Sequence, residues 1–261
     1  MSVPGDSAYV PRLSRARIIT EVVIVLGLSL GASAVYSIVS LIADATKGTP
    51  LADQSTQLNP PQAEREWLDF TYQFLGVVFA LFAVALVLYL LAQPPLNPFR
   101  RIGFDLSRPG RDVLAGVALA AVIGVPGLAF FAATRLLGIT LNVQASSGFP
   151  YWWSVAILVL SALRAALTEE IIVVGYLFTR LRELGWRPWT IIIASALLRG
   201  SYHLYQGWGP FVGNAVMGVV FGWCYTRWGR TMPLVIAHAI LDVVSFVGYP
   251  LAAAWWPGLF G

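Results

Sequence analysis

Long apolar runs are the feature of this sequence that most restricts its fold. A helix that crosses the hydrocarbon core of a bilayer needs about 20 mostly apolar residues. Within hydrocarbon only helices and closed barrels can satisfy their own backbone hydrogen bonds. The sequence therefore predicts an all-α, polytopic transmembrane helical bundle of about seven spans (seven or eight). The runs, separated by Pro, Gly and Arg, are 18–43, 68–92, 113–133, 152–175, 189–205, 211–226 and 232–249.

The composition supports a membrane protein and excludes several other classes. Hydrophobic residues make up 57% of the chain and charged residues only 11%, whereas soluble proteins are about one quarter charged. Cys224 is the single cysteine, so an internal disulfide is excluded. The first run is longer than a signal-peptide core and lacks a small-residue cleavage site, so we expect a retained helix.

Basic residues predict the orientation of the spans, because Lys and Arg concentrate in cytoplasmic loops. On one side lie Arg12, Arg15, Arg17, Arg100, Arg101, Arg108, Arg111, Arg180, Arg182, Arg187, Arg227 and Arg230, and on the other Lys47, Arg65 and Arg135. We therefore expect an integral, multi-pass protein of the plasma (cell) membrane with a cytoplasmic N-terminus. Since these arginines are scattered over short loops, we expect no nucleic acid as a partner. The expected partner is membrane lipid, which surrounds the apolar spans.

Two polar segments suggest how the chain is organised. Residues 44–66 are rich in Asp, Gln, Pro and Thr and are predicted to form a flexible outer loop. Prolines make residues 93–112 a cytoplasmic loop. We expect this loop to separate N-terminal helices, 1–112, from a C-terminal helical core, 113–261.

A few ionisable side chains fall at membrane depth, where each indicates a functional site because burying it is costly. Glu169 and Glu170 lie within an apolar helical run. Neighbouring helix positions point about 100° apart, so one carboxylate can face a cavity while the other is held by a partner. Alternatively, the pair marks the cytoplasmic end of the fourth run.

Each of the only two histidines of the chain lies four residues from a charged residue, which is one turn of an α-helix. Arg199 precedes His203 by four residues, and His238 precedes Asp242 by four, which places each pair on one helix face. His203 alternatively belongs to the outer aromatic belt with Tyr202, Tyr205 and Trp208. His238 and Asp242 alternatively form a structural pair buried between helices.

Together these side chains suit hydrolysis. A glutamate can act as a general base on water, while imidazoles stabilise an oxyanion or hold a metal. Candidate ligands for a divalent metal such as zinc are His203, His238, Glu169 and Asp242. Because the spacing differs from the H-E-x-x-H zinc helix, any site must be assembled by packing several helices.

The three motifs resemble those of the CPBP family of intramembrane endopeptidases, which includes type II CAAX prenyl proteases and bacteriocin-processing enzymes. The resemblance covers about 152–245. The first family motif is a Glu-Glu pair followed by an Arg four residues after the second Glu. Glu169 and Glu170 match the pair, and Gly175 also matches the motif. The second, Phe-x-x-x-His, and the third, His-x-x-x-Asn or Asp, are matched by His203, His238 and Asp242.

The resemblance implies an intramembrane endopeptidase acting on a hydrophobic or lipid-anchored, even prenylated, peptide. In this family Glu169 would activate water and Glu170 would orient or share the proton, while His203, His238 and Asp242 would polarise the carbonyl or bind the metal. The family has been described both as metalloproteases and as glutamate-dependent proteases.

Two positions depart from the family pattern, since Val174 replaces the motif Arg and Arg199 the motif Phe. In an α-helix Val174 would share a face with Glu170 and leave that carboxylate unpaired. We hypothesise that Arg199 reaches across to Glu170 and restores the pairing. The missing motif Arg also leaves open a catalytically silent scaffold or immunity-type protein, and buried Glu, His and Asp are typical of proton-coupled transporters as well.

Counted along the helices, Glu169 and His238 fall in the inner half of the bilayer and His203 further out. A shared site therefore requires the fifth run to be sunken, tilted or broken, and Gly200 and the stretch 207–210 allow such a break.

Overall fold

The computed structural model describes residues 13–144 and 149–255 and shows a helical protein. Arg12, which contributes to the predicted orientation, lies outside these residues. The α-helices are α1 Arg15–Gly27, α2 Leu30–Ala45, α3 Glu66–Leu91, α4 Pro98–Arg101, α5 Pro109–Leu136, α6 Ser154–Glu169, α7 Leu177–Glu183, α8 Pro188–Ser201, α9 Trp208–Trp228, α10 Met232–Val243 and α11 Tyr249–Trp255. Other elements are π-helices Glu170–Tyr176 and Val244–Gly248, 3₁₀-helices Leu51–Asp53 and Leu204–Gln206, and strands β1 Ser55–Gln57 and β2 Asn142–Gln144.

Among the described residues, three helices are long and apolar enough to cross a membrane, or four if a bent pair is counted as one span. The three are Glu66–Leu91, Pro109–Leu136 and Met232–Leu251. Helices α1 and α2 form the bent pair, with an angle of 52° between them. The Ser29 hydroxyl at the break donates to the Val25 carbonyl at 2.6 Å. The structure thus supports an all-α polytopic protein, while the predicted number of about seven spans is not confirmed.

The C-terminal runs differ from simple spans for local reasons. Helix α8 has only 14 residues, which corresponds to about 21 Å and is shorter than the hydrocarbon core. The predicted interruption of the fifth run is therefore present. Glycines, aromatic residues and Asn214 make α9 less apolar than a typical span.

The segment 44–66 is more regular than its composition predicts. Strand β1 pairs in parallel with β2, with Ser55 opposite Asn142. The Arg135 Nη1 group donates to the carbonyls of Ala52, at 3.2 Å, and Thr140, at 2.9 Å. The expectation of a flexible loop was wrong for 51–57, because pairing with a distant segment satisfies backbone groups that composition alone leaves free.

The loop between α4 and α5 is fastened to the turn between α9 and α10. The Thr231 and Met232 amides donate to the carbonyls of Ile102 and Gly103 at 3.0 and 3.2 Å. Gly103 has φ +65°, and a Cβ atom there would lie 2.4 Å from the Gly229 carbonyl oxygen. Only glycine permits this close approach, which holds the beginning of α10 in place.

Close helix packing positions the buried charged residues. Helices α5, α7, α8, α9 and α10 share one hydrophobic core around Phe178, Phe221 and Leu234. Where α8 and α9 cross, a Cβ atom on Gly218 would lie 2.8 Å from Ala196 Cα and 3.3 Å from Arg199 Cδ. The small residues allow the two backbones to approach, so Arg199 is directed into the bundle.

Candidate active site

The glutamate pair lies where the helix changes its hydrogen-bonding pattern. Helix α6 ends at Glu169, and a π-helix runs from Glu170 to Tyr176. Both glutamates are buried, Glu170 completely. The expectation of an uninterrupted α-helix was wrong here. The π-helix begins directly after Glu169, and π-bulges are frequent at functional sites.

Glu170 is bound by a cation and an imidazole from two other helices. Its Oε1 atom accepts a hydrogen bond from Arg199 Nη2 at 2.6 Å and lies 2.7 Å from His238 Nδ1. The hypothesised pairing of Arg199 with Glu170 is therefore present in the structure. The cation from α8 occupies the role that Val174 cannot fill.

Arg199 contacts both glutamates. Its side chain is only 1% exposed, and its Nη1 atom lies 3.3 Å from Glu169 Oε2. The guanidinium carbon also lies 5.3 Å from the centre of the Phe221 ring, and this ring meets the His238 ring edge to face at 6.4 Å. Phe221 thus helps to orient Arg199 and His238, a role that its apolar character in the sequence did not indicate.

Tyr202 is a second residue that the sequence did not assign to the site. Its hydroxyl donates to Glu169 Oε2 at 2.7 Å, and the residue is buried. The alternative that placed Tyr202 in an outer aromatic belt was wrong, since α8 ends within the protein. Its proximity to His203 in sequence was the only available signal.

His203 lies beyond the end of α8, so it does not share a helix face with Arg199 as the spacing predicts. Helix α8 ends at Ser201, because the chain turns towards the 3₁₀-helix Leu204–Gln206. The His203 ring nevertheless reaches the site, with Nε2 4.0 Å from Glu169 Oε1 and 20% of the side chain exposed. Its Nδ1 atom lies 3.2 Å from Gln206 Nε2.

His238 and Asp242 complete the cluster from α10. The predicted proximity is present, with His238 Nε2 3.5 Å from Asp242 Oδ2. The shorter contact of His238, however, is with Glu170 through Nδ1. Asp242 is partly exposed at the edge of the cluster, with 21% of its side chain accessible.

Glu169, Glu170 and His238 form a candidate metal site. One ligand atom from each residue lies within 4.8 Å of the others, and carboxylate and imidazole ligands suit zinc. Arg199 already binds Oε1 of Glu170 and approaches Oε2 of Glu169. The donor set therefore fits a divalent cation in type and spacing, but such an ion competes with the guanidinium for the same negative charge.

A family match covers the segment that carries these side chains. Residues 151–244 match the family model described as type II CAAX prenyl endopeptidase Rce1-like. No curated protein and no solved structure matches the chain. The matched segment contains all six site residues proposed from the sequence, Glu169, Glu170, Arg199, His203, His238 and Asp242. The match of residues 151–244 supports the assignment of this segment to the CPBP family, and the Rce1-like family is a family of proteases.

Proposed function

We propose that this protein is an intramembrane endopeptidase that hydrolyses a peptide bond in a hydrophobic or lipid-anchored substrate. The observation that carries the proposal is the environment of Glu169. Its Oε2 atom is held by Tyr202 and faces Arg199, whereas Oε1 faces His203 across 4.0 Å. One carboxylate oxygen is thus positioned by the protein, and the other is directed towards an imidazole at the partly exposed edge of the site.

In the proposed reaction Glu169 is the general base. Its Oε1 atom takes a proton from a water molecule as the water oxygen bonds to the scissile carbonyl carbon. The same proton passes to the leaving nitrogen as the C–N bond breaks, which produces a carboxylic acid and an amine. General base catalysis of this kind contributes about 10²- to 10⁴-fold to the rate.

The imidazoles are proposed to stabilise the negative charge that develops on the carbonyl oxygen. His203 Nε2 lies 4.0 Å from Glu169 Oε1. His238 lies against Glu170. Asp242, 3.5 Å from His238 Nε2, is proposed to keep that ring polarised. Hydrogen-bond donors fixed in a poorly solvated site are an effective means of stabilising an oxyanion.

The ion pair of Arg199 with Glu170 favours activity over a silent scaffold. Loss of the motif Arg was the reason to consider a scaffold, because an unpaired buried carboxylate favours its protonated form. Arg199 supplies the missing positive charge from another helix. In the proposed mechanism Glu170 is therefore paired with Arg199 and can orient His238.

A metal ion, when bound, would be held by Glu169, Glu170 and His238 and would supply Lewis-acid activation. The mechanism above uses only the protein's own side chains, and in it Arg199 supplies the positive charge beside the glutamate pair. Metal analysis of purified protein, with activity measured before and after chelator treatment, distinguishes a metal-dependent mechanism from a metal-free one. The metal-free mechanism requires activity to survive chelation.

Substitution of Glu169 by Gln tests the function directly. We expect turnover to fall at least about 100-fold because the amide cannot accept the proton. Proteoliposomes are supplied with a quenched fluorogenic peptide carrying a farnesylated cysteine, and with the same peptide without lipid. Glu64→Gln, at an exposed position of the segment 44–66, is the matched control.

Unchanged turnover in Glu169→Gln would exclude the proposed base. Faster cleavage of the farnesylated peptide is expected if the substrate is lipid-anchored. Equal cleavage of both peptides would remove the lipid anchor from the proposal and leave hydrolysis of hydrophobic peptides. The cytoplasmic N-terminus and the plasma-membrane location stay predictions from the distribution of arginines.

A further inference from the structure

The two ring nitrogens of His203 have different environments. Nδ1 lies 3.2 Å from the side-chain amide nitrogen of Gln206. Nε2 is buried and has no hydrogen-bond partner, and it faces Glu169 Oε1. A buried polar atom without a partner is uncommon in proteins, so Nε2 is the atom of this ring that still lacks a hydrogen-bond partner.

The chemistry of Gln206 determines which nitrogen carries the proton. An amide nitrogen is only a donor, so Nδ1 must accept its hydrogen bond. In a neutral imidazole the other nitrogen is then protonated. With Nδ1 accepting, a neutral His203 is the Nε2–H tautomer, and this N–H faces Glu169 Oε1.

Gln206 is itself held firmly by the backbone around it. The residue is buried. Its backbone amide donates to the His203 backbone carbonyl at 3.0 Å, and its backbone carbonyl accepts from the Leu141 amide at 3.1 Å. The next residue, Gly207, has φ +103°, and a Cβ atom there would lie 2.8 Å from the Ile139 carbonyl oxygen. The segment 139–141 thus fixes the turn that carries both Gln206 and His203.

We propose that Gln206 is a positioning residue that holds His203 as the Nε2–H tautomer, so that His203 donates to the carbonyl oxygen of the scissile peptide. This inference rests on the proposed endopeptidase function and assigns a specific role within it. A protonated Nε2 has no lone pair for a metal and cannot accept a proton from water. His203 is thereby excluded as a metal ligand through Nε2 and as a second base. The ligand role stays with Glu169, Glu170 and His238, and the role of base stays with Glu169.

The tautomer can be measured without any substrate. Because the chain contains only two histidines, the full-length protein labelled with ¹⁵N-histidine in nanodiscs has four ring-nitrogen signals, and His238→Gln assigns the pair from His203. We expect Nδ1 of His203 to be unprotonated and Nε2 protonated at neutral pH. A protonated Nδ1 in the wild-type protein would overturn the proposal. This result would also follow if the side-chain amide of Gln206 were rotated by 180°, so that its oxygen faced Nδ1.

Two variants test whether Gln206 is the cause. In Gln206→Glu the carboxylate only accepts hydrogen bonds, so we expect His203 Nδ1 to become protonated. Gln206→Met keeps the length of the side chain but removes the donor. Here we expect a changed Nδ1 shift and a kcat reduced about 10- to 100-fold, as is common when a residue orienting a functional imidazole is lost, with little change in KM.

Gln62→Met, at an exposed position, is the matched control and should change neither signal nor rate. If Gln206→Met leaves both the Nδ1 shift and kcat unchanged, Gln206 does not position His203. If the wild-type protein has no peptidase activity, the endopeptidase function fails, while the nitrogen signals still decide the tautomer independently.

Discussion

Arg199 determines the charge balance around the buried glutamate pair. Its guanidinium contacts oxygen atoms of both Glu169 and Glu170, and only 1% of its side chain is exposed. Burial of a charge is tolerated when the charge is paired and hydrogen-bonded. One arginine on α8 thus stabilises two acidic residues on another helix.

Substitution of Arg199 by Ala should therefore cost both stability and activity. Removal of one partner from a buried ion pair costs about 3–5 kcal/mol, because the remaining carboxylate has lost its counter-charge. Unfolding of the detergent-solubilised protein and peptide turnover are measured together. Arg15→Ala, at an exposed position, should change neither, and an Arg199→Ala protein with wild-type stability and turnover would contradict the assigned role.

At the scale of helices, the site depends on the close crossing of α8 and α9 and on the irregular helix after α6. The π-helix begins at Glu170, directly after Glu169, so the two carboxylates lie on different helical geometries. The early end of α8 brings Tyr202 and His203 to the same depth as the glutamates. Neither feature follows from regular helical periodicity.

Gly218→Ala tests the helix crossing. The added methyl group would lie 2.8 Å from Ala196 Cα, so α8 must move and Arg199 with it. We expect a loss of about 1–3 kcal/mol, typical of overpacked sites, together with reduced turnover.

Gly213→Ala is the matched control on the same helix. Its Cβ atom would meet Phe130 at an ordinary 3.5 Å, and replacing a mid-helix glycine by alanine is favourable by about 0.5–1 kcal/mol. Equal effects of the two substitutions, measured by thermal unfolding in detergent, would show that the close crossing is unimportant.

At the scale of the whole molecule, Arg230 joins the α4–α5 loop and the first turn of α5 to the turn before α10. It binds Asp112 through Nε at 2.9 Å and Nη2 at 2.6 Å, and Asp105 Oδ1 through Nη2 at 3.0 Å. Its Nη1 atom donates to the Ser107 hydroxyl at 3.1 Å. These bonds connect residues about half the chain apart and hold the helix that carries His238.

This connection predicts how stability depends on pH. Hydrogen bonds from Ser107, together with Arg230, lower the pKa of Asp105 from 3.8 to about 2. Because the folded protein holds this proton more weakly than the unfolded chain, the contribution of Asp105 to stability is complete above about pH 4. It is lost as the pH falls towards 2.

The test compares unfolding of wild-type protein, Asp105→Asn and the control Asp53→Asn in detergent between pH 5 and 2, the range that brackets this titration. Asp105→Asn should be less stable at pH 5 and should lose less stability on acidification, because its side chain does not titrate. The Asp53 variant, altered at an exposed position, should follow the wild type. Parallel curves for all three proteins would contradict the role of Asp105.

The sequence by itself determined the helical class with apolar runs and named the chemical groups of the candidate site. Long apolar runs restrict a chain to structures that satisfy their own backbone groups, and this is a property of composition. Glu169, Glu170, His203, His238 and Asp242 were recognisable because ionisable residues are costly at membrane depth. The family match to residues 151–244 confirms the recognition made from these motifs.

Only the tertiary structure decided which atoms meet. The contacts of Glu170 with Arg199 and His238 join residues 29 and 68 positions apart. They therefore depend on how three helices cross, and not on spacing within any one of them. Tyr202 and Gln206 reached the site because α8 ends early, and the strand pairing of 55–57 with 142–144 ordered a segment that looked like loop. Local patterns specify which groups a chain carries, whereas packing between distant segments sets their partners and protonation states.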